Sequence, residues 1–204
     1  IGCGNGASMF LLSQKMKSCL GIDIINDYEQ DINDYLEKNN ISNCRFQCVD
    51  IEKDVSPLQQ QFDRITSFEV IEHLHDENSV SIYRKLLKDD GLMAISVPNK
   101  WWIFETHGAK LPLLPWNRVP FFSWLPRFLH ERWANARIYT KGRITRLLER
   151  NGFEVLHSSY ITAPMDVLKE GRPKRLLVKY LFKNDTTKNP FKSTAILVIA
   201  RRRK

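Results

Sequence analysis

The chain has 204 residues and a mass of 23.9 kDa, with 43% apolar and 26% charged residues. This length suits one α/β domain, and the composition excludes a disordered or collagen-like chain. No apolar run approaches the roughly 18 residues of a transmembrane helix. The net charge of +8 is unevenly divided, since residues 1–100 carry 10 basic and 16 acidic side chains and residues 101–204 carry 21 and 7. This division predicts different roles for the two halves.

A glycine-rich segment opens the chain, with the sequence Ile1-Gly2-Cys3-Gly4-Asn5-Gly6. A turn of this kind normally follows a strand and precedes a helix, and apolar residues at helical spacing predict that helix over 7–17. The preceding strand would lie before Ile1, so we expect the sequence to be truncated there. The segment has no basic n-region, and we expect no signal peptide within it.

Strands and helices then alternate up to residue 98. The pattern predicts strands at 19–24, 44–49, 62–70 and 92–97, helices at 27–39 and 76–88, and a loop or short helix at 50–60. Short connections between such elements indicate a parallel sheet with helices on both faces. Residues 1–98 are therefore predicted to form one half of an α/β domain.

The regular alternation stops after Pro98. All five tryptophans lie within 99–139, which is rich in aromatic residues and proline and is predicted to be an insertion or lid. Order returns with a helix at 140–150, for which Thr140 is the expected N-cap, and with strands at 153–160 and 194–200. Between these strands, 169–192 is a basic insertion with an apolar stripe. We predict a single domain in which 140–204 completes the sheet.

The four cysteines lie in the first quarter of the chain. Cys44 and Cys48 are close in sequence, but on a strand they would be ~13 Å apart at ~3.3 Å per residue, too far to share a metal or a disulfide. Reduced thiols in a cytoplasmic protein are the favoured interpretation. No metal site is predicted.

The glycine segment and Asp23 together suggest a nucleoside-containing cofactor. Asp23 ends the next strand, where a carboxylate can accept hydrogen bonds from both hydroxyls of an adenosine ribose. The Gly-x-Gly-x-Gly spacing differs from the Gly-x-Gly-x-x-Gly of dinucleotide sites, and no Lys or Arg is present in the loop to pair with a phosphate. A nicotinamide-dependent oxidoreductase is therefore the weaker functional alternative. In the purely structural interpretation, the glycine segment is a tight turn packed under the sheet.

Several motifs, in order, resemble those of class I S-adenosylmethionine-dependent methyltransferases, most closely the ubiquinone-biosynthesis-like and type 11 groups. They are the glycine segment, Gly21-Ile22-Asp23, Cys48-Val49-Asp50, Phe68-Glu69-Val70-Ile71-Glu72-His73-Leu74 and Leu87-Lys88-Asp89-Asp90-Gly91-Leu92. The resemblance covers residues 1–98 closely and 140–160 more loosely. It implies a Rossmann-like, doubly wound, mostly parallel sheet whose first strand is missing or incomplete.

The resemblance also implies roles toward the cofactor S-adenosyl-L-methionine. Asp23 would hold the ribose and Ile24 would face the adenine, while Asp50 would meet the adenine amino group and Ile51 would pack on the ring. Glu69 would line the methionine end. Three glycines would pass under the methionine moiety: Gly2, Gly4 and Gly6. The acid that the family usually has just before this segment falls outside the sequence.

Two histidines are candidates for activating a methyl acceptor. His107 follows the strand at 92–97, where ligands of open α/β sheets bind, and the nearby Glu105 could orient it; otherwise it is a loop residue that holds the insertion. His73 belongs to the Glu-His motif. In the alternative interpretation it is not catalytic and only supports the site through hydrogen bonds. Trp101 and Trp102, with Glu105, are predicted to contact the acceptor, unless the aromatic residues form ordinary core.

The acceptor is predicted to be a small-molecule or lipid-linked compound, with an anion near its apolar part and methylation at oxygen. Arginines among the tryptophans, and the basic insertion, indicate peripheral contact with a membrane surface. Nucleic-acid binding is disfavoured because no binding module is recognisable. A catalytically silent protein that binds anionic partners through its basic half remains a further alternative.

Overall fold

The computed structural model describes residues 1–53, 55–111, 119–165 and 168–203. These ranges contain seven strands, which are β1 (Cys19–Asp23), β2 (Cys44–Cys48), β3 (Phe62–Phe68), β4 (Leu87–Pro98), β5 (Phe153–Thr162), β6 (Thr186–Thr187) and β7 (Ser193–Arg202). The α-helices are α1 (Ala7–Ser13), α2 (Glu29–Lys38), α3 (Ser81–Leu86), α4 (Arg127–Trp133), α5 (Lys141–Arg150) and α6 (Arg172–Leu181). Residues 112–118 of the predicted lid lie outside the described residues.

The strands form two sheets, one of order β1-β2 and one of order β3-β4-β7-β5-β6. β1 pairs with β2 in parallel, as does β3 with β4. β7 runs antiparallel to both β4 and β5, so β3, β4 and β5 share one direction. The predicted Rossmann-like α/β architecture is therefore confirmed, with β7 and the short β6 as the reversed strands.

The backbone of the first two residues joins the two sheets. The amino group of Ile1 donates to the Thr66 carbonyl at 2.8 Å, and the N–H of Gly2 donates to the Ile22 carbonyl at 2.8 Å. A cavity of about 360 Å³ lies between β1 and β3 beside this junction. The missing or incomplete first strand stays a prediction.

The main core lies where α3 and α5 cover the larger sheet. Val198 and Ile196 of β7 are fully buried, as expected for β-branched residues of a central strand. α5 buries Ile144 and Leu148, which are one turn apart on its apolar face. Thr140 caps this helix as predicted, its hydroxyl accepting from the Arg143 N–H at 3.2 Å.

Several predicted boundaries are wrong. The helix expected over 7–17 ends at Ser13, and the strand expected over 62–70 ends at Phe68. The helix expected to run to residue 88 ends at Leu86, and Leu87 already pairs with Phe62 as the first residue of β4. Leu87 is completely buried, so packing against the core overrides the local helical pattern. Within the described ranges, no helix combines the length and apolar character that crossing a bilayer requires.

Candidate active site

The glycine turn presents an open backbone surface at the end of the sheet. Gly2, Gly4 and Gly6 have φ angles of 67°, 49° and 81°, a region that L side chains rarely adopt. A Cβ atom on Gly2 would lie 2.2 Å from the Val70 side chain, so this position needs glycine for close packing. A Cβ on Gly4 would meet nothing within 4 Å. The turn is therefore packed on the Gly2 side and open at Gly4, where a ligand can approach the backbone.

Asp23 ties the end of β1 to the glycine turn. Its Oδ2 accepts a hydrogen bond from the Gly4 N–H at 2.8 Å, and its Oδ1 accepts from the Ile25 N–H at 3.1 Å. Each carboxylate oxygen can accept a second hydrogen bond, so the group remains able to bind two hydroxyls. The carboxylate thus lies beside the open part of the turn.

The remaining residues predicted to contact adenine differ in accessibility. Ile24 is 65% exposed and offers a free apolar surface next to Asp23. Asp50 is half-buried after β2, where its Oδ1 accepts from the Glu52 N–H at 3.0 Å and its Oδ2 lies 3.3 Å from Lys53 Nζ. Ile51 is buried in the main core. Ile24 therefore presents the larger free surface, and the adenine contacts of Asp50 and Ile51 stay predictions.

Glu69 directly follows β3 and has a strained backbone. Its φ of 55° is uncommon for a residue with a long side chain. The N–H donates to the Ser96 carbonyl at 3.1 Å, and Oε1 accepts from the Ser96 hydroxyl at 2.6 Å. Since the next residue, Val70, packs over Gly2, the structure brings Glu69 beside the glycine turn.

His107 completes an acid–histidine cluster at this edge. Its Nε2 lies 3.3 Å from Glu72 Oε1 and 3.5 Å from Glu69 Oε2. Its Nδ1 is 2.9 Å from the Thr106 hydroxyl, and its ring centroid is 5.2 Å from that of His73. The structure therefore brings together both histidines predicted to be catalytic and two carboxylates, Glu69 and Glu72.

Burial sets the protonation of this cluster. It raises the pKa of Glu72 to about 9, with the negative charge of Glu69 adding to the effect, and it also raises the pKa of Glu69. Burial lowers the pKa of His107, as does the neighbouring His73. The pKa of His73 is lowered by burial and by the Arg137 guanidinium. At neutral pH, Glu72 therefore holds a proton and His107 is an uncharged imidazole.

The same group could also bind a metal ion. Glu72, His73 and His107 each offer a ligand atom, and these atoms lie within 4.8 Å of one another. Both carboxylate oxygens of Glu72 are buried without a hydrogen-bond partner among the described residues. Carboxylate and imidazole are suitable ligands for divalent transition metals. The sequence pattern did not indicate this group, because His107 reaches it from the insertion.

Glu105 is not on the surface of the site but supports the loop that carries His107. Its Oε1 accepts from the backbone N–H groups of Thr106 and His107, each at 3.0 Å. Its Oε2 is 2.7 Å from His130 Nε2, and both side chains are fully buried. Glu105 thus faces the interior of the insertion, and the predicted acceptor contact has no support in this placement. Sequence reasoning missed His130, which lies far along the chain.

Trp101 and Trp102 pack within the insertion. Trp101 contacts the rings of Trp124 and Phe191 at centroid distances of 6.4 and 6.0 Å. Trp102 is buried, and its carbonyl accepts from the Ser123 hydroxyl at 2.9 Å. The structure places neither ring in the acid–histidine cluster, so their contact with an acceptor stays a prediction.

A polar cavity of about 290 Å³ adjoins the cluster instead. It is bounded by Glu72 and His73 on one side and by the end of α4 and the segment after it on the other. Arg137 shapes this boundary, because its guanidinium donates to the Leu74 and His75 carbonyls at 2.6 and 2.8 Å. The space next to Glu72 and His73 is therefore mostly polar, whereas Trp101 and Trp102 pack elsewhere.

Comparison with known proteins identifies the family of the chain. A family model described as a methyltransferase domain matches residues 1–158. Two curated relatives are ubiquinone biosynthesis O-methyltransferases. The one from Neisseria meningitidis is 26% identical over 102 residues, and the one from Glaesserella parasuis is 32% identical over 109 residues. Each alignment covers 49% of this chain, and 43% and 44% of the respective relatives, so the chain spans less than half of their length.

The fold also has solved counterparts. A crystal structure described as an S-adenosylmethionine-dependent methyltransferase from Mesorhizobium loti superposes with a TM-score of 0.64 at 17% identity. The superposition covers 98% of this chain and 88% of that protein. At this level of identity the likeness establishes the α/β fold alone.

Proposed function

The chain belongs to the methyltransferase domain family, and from this premise we propose that it transfers the methyl group of S-adenosyl-L-methionine to an oxygen atom of a small-molecule or lipid-linked acceptor. One observation carries the proposal: Glu69, whose neighbour Val70 packs against Gly2, lies 3.5 Å from His107 Nε2, so the Glu72–His107 pair adjoins the glycine turn. The O-methyltransferase names of the two curated relatives support oxygen as the accepting atom.

The cofactor would lie along the edge formed by the glycine turn, β1 and β3. Asp23 would accept hydrogen bonds from the ribose hydroxyls, and Ile24 would cover the adenine. Gly4 leaves room for the cofactor to pass the backbone, since a Cβ there meets nothing within 4 Å. Glu69 would face the methionine end. The bound cofactor supplies the electrophilic methyl group, and the protein holds and orients the two reactants.

The acid–histidine cluster would then remove the proton of the acceptor hydroxyl. His107 is suited to this step because its lowered pKa leaves the imidazole neutral near pH 7. After proton transfer, the Glu69 carboxylate, 3.5 Å from Nε2, would stabilise the positive charge on the ring. The acceptor would enter through the polar cavity beside Glu72 and His73.

A transfer assay tests this function. The protein is incubated with methyl-labelled S-adenosyl-L-methionine and with fractionated lipid and polar cell extracts, and labelled products are identified by mass spectrometry. We expect a methylated hydroxyl compound that is absent with the His107→Ala variant. Cofactor binding without transfer to any fraction would instead support a catalytically silent protein.

A second mode of activation is favoured by the two Glu72 oxygens, which have no hydrogen-bond partner among the described residues. A divalent metal ion held by Glu72, His73 and His107 would lower the pKa of a bound hydroxyl without a general base. Titration of Mg²⁺, Mn²⁺ or Zn²⁺ into the metal-free protein, with Glu72→Gln as the control, distinguishes the two modes. Saturable binding that the variant lacks would favour the metal.

A nicotinamide-dependent oxidoreductase is the rival from another class of enzyme. The glycine spacing and the absence of a basic residue in the turn disfavour a pyrophosphate there. Calorimetric titration with S-adenosyl-L-methionine and NAD side by side decides between them. We expect binding of S-adenosyl-L-methionine, and preferential binding of NAD would overturn the proposed function.

A further inference from the structure

We propose that α6 and a neighbouring aromatic patch together form a docking surface for an anionic lipid bilayer. The aromatic patch consists of Trp101, Phe121, Trp124 and Phe191. This surface is separate from the acid–histidine cluster, so the inference does not depend on the proposed chemistry.

The outer face of α6 is apolar but has no protein partner among the described residues. The helix contributes no buried residue to the core. Leu176 and Tyr180, which are one turn apart, are 56% and 67% exposed, whereas Leu177 and Val178 are half-buried against the domain. Two large apolar side chains thus project from the side of the helix that faces away from the protein.

Basic residues share this outer face. Arg172, Arg175 and Lys179 are exposed and lie three or four residues from Leu176 or from one another, so they flank the same helix surface. Lys179 Nζ is 5.3 Å from the Tyr180 ring centroid. Residues 169–192 contain eight Lys or Arg and two acidic residues. The surface therefore combines apolar contact area with a positive charge, the combination that interfacial helices use.

The aromatic patch adjoins the end of α6. The Trp124 ring lies 4.8 Å from that of Phe121 and 5.5 Å from that of Phe191, and all three remain exposed. Lys192, which follows Phe191, donates to the Leu181 carbonyl at 3.3 Å. This contact joins the helix and the patch into one continuous surface.

A bilayer fits this surface better than a nucleic acid does. Tryptophan and other aromatic residues bind at the headgroup level, and each nearby Lys or Arg gains about 1 kcal/mol from an anionic leaflet. Stacking of bases needs free aromatic faces, but Phe121 and Trp124 contact each other edge to face at 71°. The occupant to which we commit is therefore a membrane that contains anionic phospholipid.

Vesicle co-sedimentation of the full chain tests the inference. The probes are vesicles of phosphatidylcholine alone and of equal parts phosphatidylcholine and phosphatidylglycerol. We expect binding to the anionic vesicles only, weakened by salt. The double variants Arg175→Glu with Lys179→Glu and Leu176→Ser with Tyr180→Ser should each weaken binding by about tenfold or more. Leu11→Ser, which replaces an exposed leucine on α1, should bind as the wild type does.

Three results would overturn the inference. They are the absence of binding to anionic vesicles, unchanged binding by both double variants, and binding of single-stranded RNA in preference to vesicles. Circular dichroism of each variant checks that the fold is intact, and Phe191→Ser provides an independent readout from the aromatic patch. Since no readout depends on methyl transfer, failure here leaves the proposed function untouched.

Discussion

Two carboxylate–histidine pairs lie close together in this molecule, and they differ in what remains free. In the Glu105–His130 pair, the nitrogen and oxygen are 2.7 Å apart and the other carboxylate oxygen accepts two backbone N–H groups. In the Glu72–His107 pair, the atoms are 3.3 Å apart and neither Glu72 oxygen has a hydrogen-bond partner among the described residues. In the first pair both Glu105 oxygens are occupied, although His130 Nδ1 has no hydrogen-bond partner among the described residues. In the second pair it is the carboxylate that retains capacity for a ligand.

The difference shows that a buried carboxylic acid can either support a loop or take part in a reaction site. Hydrogen bonds with two backbone N–H groups and with His130 compensate Glu105 for its burial and fix the loop of His107. Glu72 lacks such compensation, and its raised pKa reflects the cost. Burial of the Glu72–His107 pair therefore costs the fold more stability than burial of the Glu105–His130 pair, as expected of a site that acts on a substrate. The predictions below separate the two pairs.

The largest effect is expected from His107→Ala. Removing the proposed base should lower turnover by about 100-fold or more, while the affinity for S-adenosyl-L-methionine stays within about twofold. The measurement is steady-state methyl transfer together with calorimetric titration of the cofactor. His157→Ala, which replaces an exposed histidine on β5, is the matched control and should be unaffected.

The next largest effect is expected from Asp23→Ala. Loss of the carboxylate should weaken cofactor binding by about 1–3 kcal/mol, the cost of leaving hydrogen-bonding groups unpaired. Calorimetry measures this directly, and Asp27→Ala, in the loop after β1, is the control. Unchanged affinity would remove Asp23 from the site and with it the assignment of the cofactor edge.

Glu105→Ala should affect activity through the position of His107. Two backbone N–H groups and His130 would lose their acceptor, so we expect turnover to fall about tenfold and stability to fall by about 1–3 kcal/mol. Glu105→Gln keeps an acceptor oxygen and should recover most of the turnover. If Glu105→Gln were as slow as the alanine variant, the negative charge rather than loop geometry would matter.

Glu72→Gln should increase the stability of the protein and lower its turnover. The folded-state pKa of about 9 lies above the unfolded value, so ionisation of the unfolded chain makes folding less favourable as pH rises from about 4.5 to 9. Glutamine removes this penalty, and we expect a gain of roughly 1 kcal/mol or more at neutral pH. Chemical denaturation with a metal chelator at pH 5, 7 and 9 should show a widening difference. A difference independent of pH would contradict the assignment.

Much of the cofactor edge could be predicted from sequence because its signals are local. The Thr140 cap, the alternation of strands and the glycine turn each depend on neighbouring residues, and the structure has them where the sequence indicates. The contact between Glu72 and His107 could not be predicted, since it depends on how the insertion folds back. For the same reason, Glu105 was expected on the acceptor surface although His130 holds it inside.

The pH dependence of methyl transfer tests the central claim most directly. If neutral His107 accepts the acceptor proton, kcat/KM should rise with pH to a plateau, with a midpoint below the ordinary histidine value of about 6.5 because burial lowers the pKa of this group. The His107→Ala variant should lose this limb. A wild-type profile that is flat down to pH 5, or a limb that persists unchanged in the variant, would contradict the account.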